Sequence, residues 1–275
     1  MPTVTKQTRR GTRRKSNGVV DRIKPVHLQE KKDTINIYGV SGTGKTTLAC
    51  TYPKPLLLIG CEDGTRSVHK MKGVDFIRVT SSSEVGEVVE HIREEGKYST
   101  AVLDTATSMQ ALVLQEILGL EELPTQSSWG LASRDQYGQC ALQTKELLRH
   151  ILRLAEDNIA HAVVLAQERT FGAEGDGELI APTVMSSLTG STVGWLNPEC
   201  DYIVQTFKRE GIIKKKTKAG GKTIVREVST GKIEYCLRTG PHPIYLTKFR
   251  LPRGMDLPEF VIDPSYEKLS ELIGR

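Results

Sequence analysis

Residues 35–55 read INIYGVSGTGKTTLACTYPKP, an apolar run, then a loop with three glycines, a lysine and two threonines. Nothing else in the 275 residues restricts the fold as tightly. Gly39-Val40-Ser41-Gly42-Thr43-Gly44-Lys45-Thr46 satisfies the spacing G-x-x-x-x-G-K-[ST] in full. Glycines accept backbone angles that other residues resist, so successive N–H groups can turn inward around a β-phosphate. Lys45 would reach the β- and γ-phosphates, and the Thr46 hydroxyl would bind Mg2+. Residues 39–46 with Thr47 therefore read as a site for ATP and Mg2+. A chance match somewhere in a chain of this length has a probability of about one in a hundred. Lys45, on a solvent-facing loop, is expected to contribute charge and no core packing.

Such a loop needs a strand before it and a helix after it, and the pattern supplies both. Apolar, β-rich runs occur at 34–39, 55–61, 74–79, 100–104, 161–166 and 201–207, with helical segments at 45–51, 83–95, 106–118 and 134–157. In the last helix, Leu142, Leu147, Leu148, Ile151, Leu152 and Ala155 recur at helical spacing and predict a buried stripe. Nearly continuous apolar strands alternating with amphipathic helices mean an α/β fold, a mostly parallel sheet covered on both faces. Residues 208–250 are strand-like and basic, with turn signals at KAGGK and STGK, and predict a β-hairpin extension. A short helix is expected after Pro264. No repeat or linker breaks the chain, so residues 33–275 read as one ATPase-type domain behind a tail, 1–32.

That tail carries ten Lys or Arg against two acidic residues, a charge of +8 out of the chain's +5, which leaves −3 for 33–275. Almost no apolar residue precedes Val19, so disorder is expected. A nucleic-acid arm and a solubilising extension both remain open. Five scattered cysteines without a C-x-x-C pair argue against a disulfide framework or zinc site and for a reducing cytoplasm. Apolar runs such as LLLI and AVVLA are too short to span a membrane, and the N-terminus lacks a signal-peptide core.

Hydrolysis asks for further groups at strand ends. Asp104, closing TAVLD, suits the Mg2+ water shell. Glu62, closing LLLIGCE, suits the group that orients or deprotonates the attacking water and is preferred to Asp63. Gln167, after AVVLA, is placed to sense the γ-phosphate.

Phosphate loop, strand-end Glu, strand-end Asp, strand-end Gln, in that order, resembles the RecA-like P-loop ATPases. With TYPKPLLLIGCEDG and the late KFR, the chain is similar to the phage-encoded group that includes single-strand annealing proteins and minimal recombinases. The resemblance covers about residues 33–270 and implies ATP-dependent binding of single-stranded DNA in recombination. It also implies a ring or filament of copies, with a single-strand-binding protein as a further partner, in the host cytoplasm. Segment 127–139 matches the family's first DNA-facing loop and 169–192 the second, expected to order only on a ligand. Trp129 and Tyr137 would stack on bases, and Arg134 and Arg169 would meet phosphates. Lys248 and Arg250 in LTKFR match a K-x-R pair that reaches a neighbour's γ-phosphate, and would be catalytic in trans. The basic run containing Lys214, Lys215 and Lys216 would extend a DNA groove. The chain has no counterpart of the separate DNA-handling domains of full-length recombinases, which leaves strand exchange open beside annealing. Two other readings stand beside it: a helicase or helicase loader, and an assembly protein that binds ATP without turnover.

Overall fold

A computed structural model describes residues 25, 32–62, 64–121, 132–157, 159–172, 182–219, 222–251 and 254–274, with the side chains of 157, 214–219 and 222–225 outside that description. Lys32–Arg275 form one compact unit, and Met1–Lys31 form a second unit whose residues, Pro25 apart, lie outside the described set. The basic tail read from the sequence, 1–32, belongs to the latter except for Lys32.

The strands are β1 (Asp33–Gly39), β2 (Leu56–Gly60), β3 (Val74–Arg78), β4 (Thr100–Asp104), β5 (His161–Ala166), β6 (Glu168–Phe171), β7 (Thr183–Ser186), β8 (Tyr202–Ala219), β9 (Lys222–Arg238), β10 (Lys248–Phe249) and β11 (Phe260–Ile262). The helices are α1 (Lys45–Ala49), α2 (Ser82–Glu95), α3 (Ala106–Leu118), α4 (Arg134–Asp157), α5 (Gly190–Glu199) and α6 (Tyr266–Leu272). The main sheet runs β11-β9-β8-β1-β5-β4-β2-β3, parallel from β8 to β3 and antiparallel at β9 and β11, with β10 beside the start of β8. β5 lies between β1 and β4, so the ends of these three strands stand side by side.

Burial explains the unbroken apolar runs. Every residue of β2 and β5 is buried, because helices cover both faces. Tyr38, Ile59 and Leu103 face α2, α3 and α4 through Val89, Ile92, Met109 and Leu148, while Ile35, Ile37 and Leu58 face α1 and α6 through Leu48 and Leu269. Each fully buried Leu or Ile stabilises the fold by about 1.5–3 kcal/mol.

The structure corrects three expectations. Leu142 is 68% exposed, because six residues before Leu148 puts it about 120° off the buried face. Ala141 and Thr144 fill the stripe in its place. The segment 169–192 is partly regular: β6 and β7 pair antiparallel and α5 begins at Gly190, leaving 173–181 outside the described residues. STGK is no hairpin turn either. It lies inside β9, where the register with β8 jumps from Glu210↔Ile233 to Ile212↔Ser229. At the other signal, KAGGK, Ala219 pairs with Lys222, and residues 220–221 lie outside the described set. Pairing of β8 with β1 ends at Gly39↔Thr206 and that of β11 with β9 at Ile262↔Cys236, so from Lys208↔Tyr235 onward β8 and β9 continue as a two-stranded arm.

Candidate functional site

The loop after β1 is a backbone cradle. Gly42 and Gly44 hold φ values of 76° and 89°, a region that side-chain-bearing residues resist, and Gly44 caps α1. Thr43 Oγ1 donates to Val40 O at 2.7 Å and lies 2.7 Å from Thr206 Oγ1, which fixes the loop against β8.

Lys45 is 7% exposed, so the expectation of a solvent-facing side chain is wrong. Its stem passes beneath the loop, and Nζ donates to Gly39 O at 2.8 Å, Val40 O at 3.0 Å and Gln167 Oε1 at 3.2 Å. Burial lowers its pKa from the ordinary lysine value, opposed by the negative charges of Asp104, Glu168 and Glu62. All three hydrogen-bond partners are neutral, and phosphate oxygens are stronger acceptors for an ammonium.

Thr46 Oγ1 donates to Asp104 Oδ2 at 2.7 Å, bringing together the two residues expected at Mg2+. Burial pushes the Asp104 carboxyl above its ordinary pKa; Glu62 pushes the same way, while the Thr46 hydrogen bond and Lys45 oppose it. A hydroxyl and a carboxylate already in contact fit Mg2+, which takes few protein oxygens and completes its shell with water and phosphate. A dication there would also offset the cost of the buried carboxylate.

Glu62 follows β2, directly beside β4: Gly60 pairs with Asp104, and Cys61 N donates to Asp104 O at 2.8 Å. The Glu62 carboxylate is exposed and accepts a hydrogen bond from Ser108 Oγ. Ser108 N in turn donates to Thr105 Oγ1 at 3.1 Å, the N-cap of α3, so the cap that starts this helix also orients Glu62. Asp63 lies outside the described residues. Gln167 is fixed from behind, its N–H donating to Thr107 Oγ1 at 3.0 Å.

These groups surround a cavity of about 660 Å3 that also touches Tyr235, Asp263 and Pro264. Sequence reasoning missed those three. They arrive through the antiparallel pairing of β9 and β11, with Asp263 N donating to Tyr235 O at 2.8 Å, and no local spacing announces such a meeting. Ser108 was missed as well, although Thr105 followed by Ser108 has a helix-cap spacing.

The other candidates stand apart from this cavity. Arg134 is exposed at the start of α4, and Arg169 is exposed on β6 with its guanidinium 5.4 Å over the Phe171 ring. Tyr137 is half-buried against Val113, Leu114 and Cys140, so its ring serves packing between α3 and α4. Trp129 lies outside the described residues. Lys214, Lys215 and Lys216 stand in β8 opposite Glu227, Arg226 and Val225, with their side chains undescribed.

Lys248 and Arg250, expected to act on a neighbour's γ-phosphate, stand away from the cavity of their own subunit. β10 pairs with Tyr202 and Ile203 at the start of β8, the end of the sheet opposite the phosphate loop. There Lys248 Nζ donates to Asn197 O, Pro198 O and Cys200 O at 2.7–2.9 Å, satisfying the last carbonyls of α5. Arg250 Nη1 pairs with Asp201 Oδ1 at 2.7 Å, and Nη2 donates to Pro198 O at 2.5 Å. Within their own subunit both cations hold a helix end.

No helix among the described residues is long and apolar enough to cross a membrane. No curated protein matches the chain. Residues 31–251, from just before β1 to just past β10, match the family described as AAA domain (AAA_24). With its glycine cradle, buried Lys45 and paired Thr46 and Asp104, the chain belongs to this AAA-type P-loop ATPase family.

Proposed function

We propose that the protein binds and hydrolyses ATP with Mg2+ and couples this to single-stranded DNA as a homo-oligomer, in recombination or annealing. The observation that carries the catalytic half is the Thr46–Asp104 hydrogen bond at the mouth of the cavity, flanked by Glu62 and Gln167. On binding, Lys45 would exchange the carbonyls of Gly39 and Val40 for phosphate oxygens. Gln167, released from Lys45, would turn its amide to the terminal phosphate. Glu62, held by Ser108, would orient the attacking water and accept its proton. Bound Mg2+ would supply charge neutralisation at the phosphate oxygens through Thr46 and Asp104. Arg134, Arg169 and the arm support the DNA half: residues 208–234 hold nine Lys or Arg against three acidic residues. A second reading, ATP as an assembly ligand without turnover, draws on Glu62 being engaged by Ser108.

The test is steady-state phosphate release with and without single-stranded DNA, in wild type and Glu62→Gln. We expect Mg2+-dependent turnover that DNA stimulates, and a loss of about 10²–10⁴-fold in the variant with ATP affinity kept. Tight ATP binding with no turnover would favour the assembly reading, and turnover indifferent to DNA would remove DNA from the function.

A further inference from the structure

The first residues of the arm overhang the phosphate loop. Thr206, the last residue of β8 in register with β1, packs its hydroxyl on Thr43. Side chains two apart on a strand share a face, so Lys208 continues outward over the same loop. Its Nζ stands 3.9 Å from where a Cβ on Gly42 would lie. Lys208 is exposed, and among the described residues it has no hydrogen-bond or ion-pair partner. Its cross-strand partner Tyr235 covers the second half of the loop, with Cδ1 3.6 Å from where a Cβ on Gly44 would lie.

We infer that Lys208 is a second phosphate-binding lysine, supplied in cis by the root of the arm, and that it contacts the terminal phosphate of a bound nucleoside triphosphate. This rests on the nucleotide reading of the cavity. Lys45 Nζ and Gln167 meet at Gly39 and Val40, so the terminal phosphate belongs at the first half of the loop, where Lys208 also arrives. The two cations approach from opposite sides: Lys45 and Gln167 with the β5–β4–β2 strand ends, Lys208 with β8. A magnesium–triphosphate complex keeps a charge of about −2, and one lysine offsets only half of it. Asp104 and Glu62 line the cavity on the β4 and β2 side, whereas Lys208 stands on the β8 side, over Gly42 at the cavity's edge, so it can reach a phosphate on the loop without pairing with either carboxylate. Lys248 and Arg250, the cations the sequence nominated for this task, are held by α5 and Asp201. Because Lys208 opens the arm, its bond to the nucleotide would link the charge state of the site to the arm's position.

Equilibrium binding of fluorescent ATP and ADP analogues to full-length wild type, Lys208→Ala and Lys208→Arg tests this, with turnover measured alongside. The expected result is an ATP affinity lowered about tenfold or more in Lys208→Ala, as for the loss of a charge-assisted hydrogen bond, with ADP affinity within about twofold. Lys208→Arg should restore most of the ATP preference. An unchanged ATP-to-ADP ratio in Lys208→Ala, with wild type binding ATP, would overturn the inference and leave the nucleotide site standing. Wild type that binds neither nucleotide would overturn both. Since the side chain is exposed, neither variant should disturb folding.

Discussion

Lys45 and Lys248 are the same device at opposite ends of the sheet. Each ammonium donates to three neutral oxygens, and burial lowers the pKa of each. What separates them is the surroundings. Lys45 itself and one of its acceptors, Gln167, line a cavity shared with the carboxylates of Asp104 and Glu62, so a phosphate in that cavity can compete for the ammonium. The acceptors of Lys248 are the last carbonyls of α5, which need a donor because no further turn follows. A lysine wrapped by carbonyls is therefore not evidence of catalysis by itself. An exchangeable set of acceptors facing an open volume is the better sign.

Substitution at the site end should give the largest effect. Lys45→Ala is expected to lose measurable ATP binding, since the cation that meets the β- and γ-phosphates is gone. Lys45 lines the cavity and contributes no apolar packing, and Val40, one of the two carbonyl residues it leaves behind, is exposed, so the nucleotide-free fold should survive. Titration with a fluorescent ATP analogue beside a thermal melt reads both halves. ATP affinity near that of wild type would erase the distinction between the two lysines.

Much of this contrast was legible in the sequence, and the division has a physical cause. The phosphate loop, Glu62, Asp104 and Gln167 all sit within two residues of the end of a parallel strand. A strand of continuous apolar residues ends where the first polar side chain can reach solvent, so its end can be read locally. Ser108, Tyr235, Asp263 and Lys208 come to the loop through a helix cap or through pairings set by tertiary register, and spacing along the chain does not encode those. Lys248 and Arg250 show a related limit: K-x-R says that two cations share a strand face but not which end of their own sheet that face overlooks. Leu142 failed by phase alone, a leucine in the right helix about 120° off the stripe.

At the other end, Lys248→Met keeps the aliphatic stem but strips the donor from three carbonyls. Unfolding free energy should fall by about 0.5–1.5 kcal/mol, the net range for an intramolecular hydrogen bond whose acceptors water can partly reach, while ATP affinity stays at the wild-type value. Denaturant titration and nucleotide binding measure the two. Arg250 is separated from Lys248 by mixing: if Arg250 serves a neighbour's site, Arg250→Ala combined with Lys45→Ala regains part of the turnover in mixed oligomers. A mixture that forms hetero-oligomers yet stays inactive leaves Arg250 with its structural bond to Asp201 alone.

The smallest effect asks whether the carbonyls of α5 fully compensate the charge of Lys248. Two influences compete. Burial, followed by the like charge of Arg250, disfavours the ammonium, whereas Cys200 and the nearby carboxylates Asp201 and Glu199, together with the negative end of the helix, favour it. Burial and Arg250 prevail, so the folded pKa lies below the ordinary value of 10.5. Below the folded pKa both states hold the proton, and Lys248 adds no pH dependence. Between the folded value and 10.5 the unfolded chain holds a proton that the folded chain has released, so stability from this group rises with pH through that window. Lys248→Met has nothing to titrate there. The stability gap between wild type and Lys248→Met should therefore widen as pH climbs from neutrality towards that of free lysine, while the other alkaline groups cancel in the difference. Denaturant midpoints of the two proteins across that range give the slope. A gap that narrows instead would mean that the protonated head is net favourable at the end of α5, and that the three carbonyls outweigh its burial.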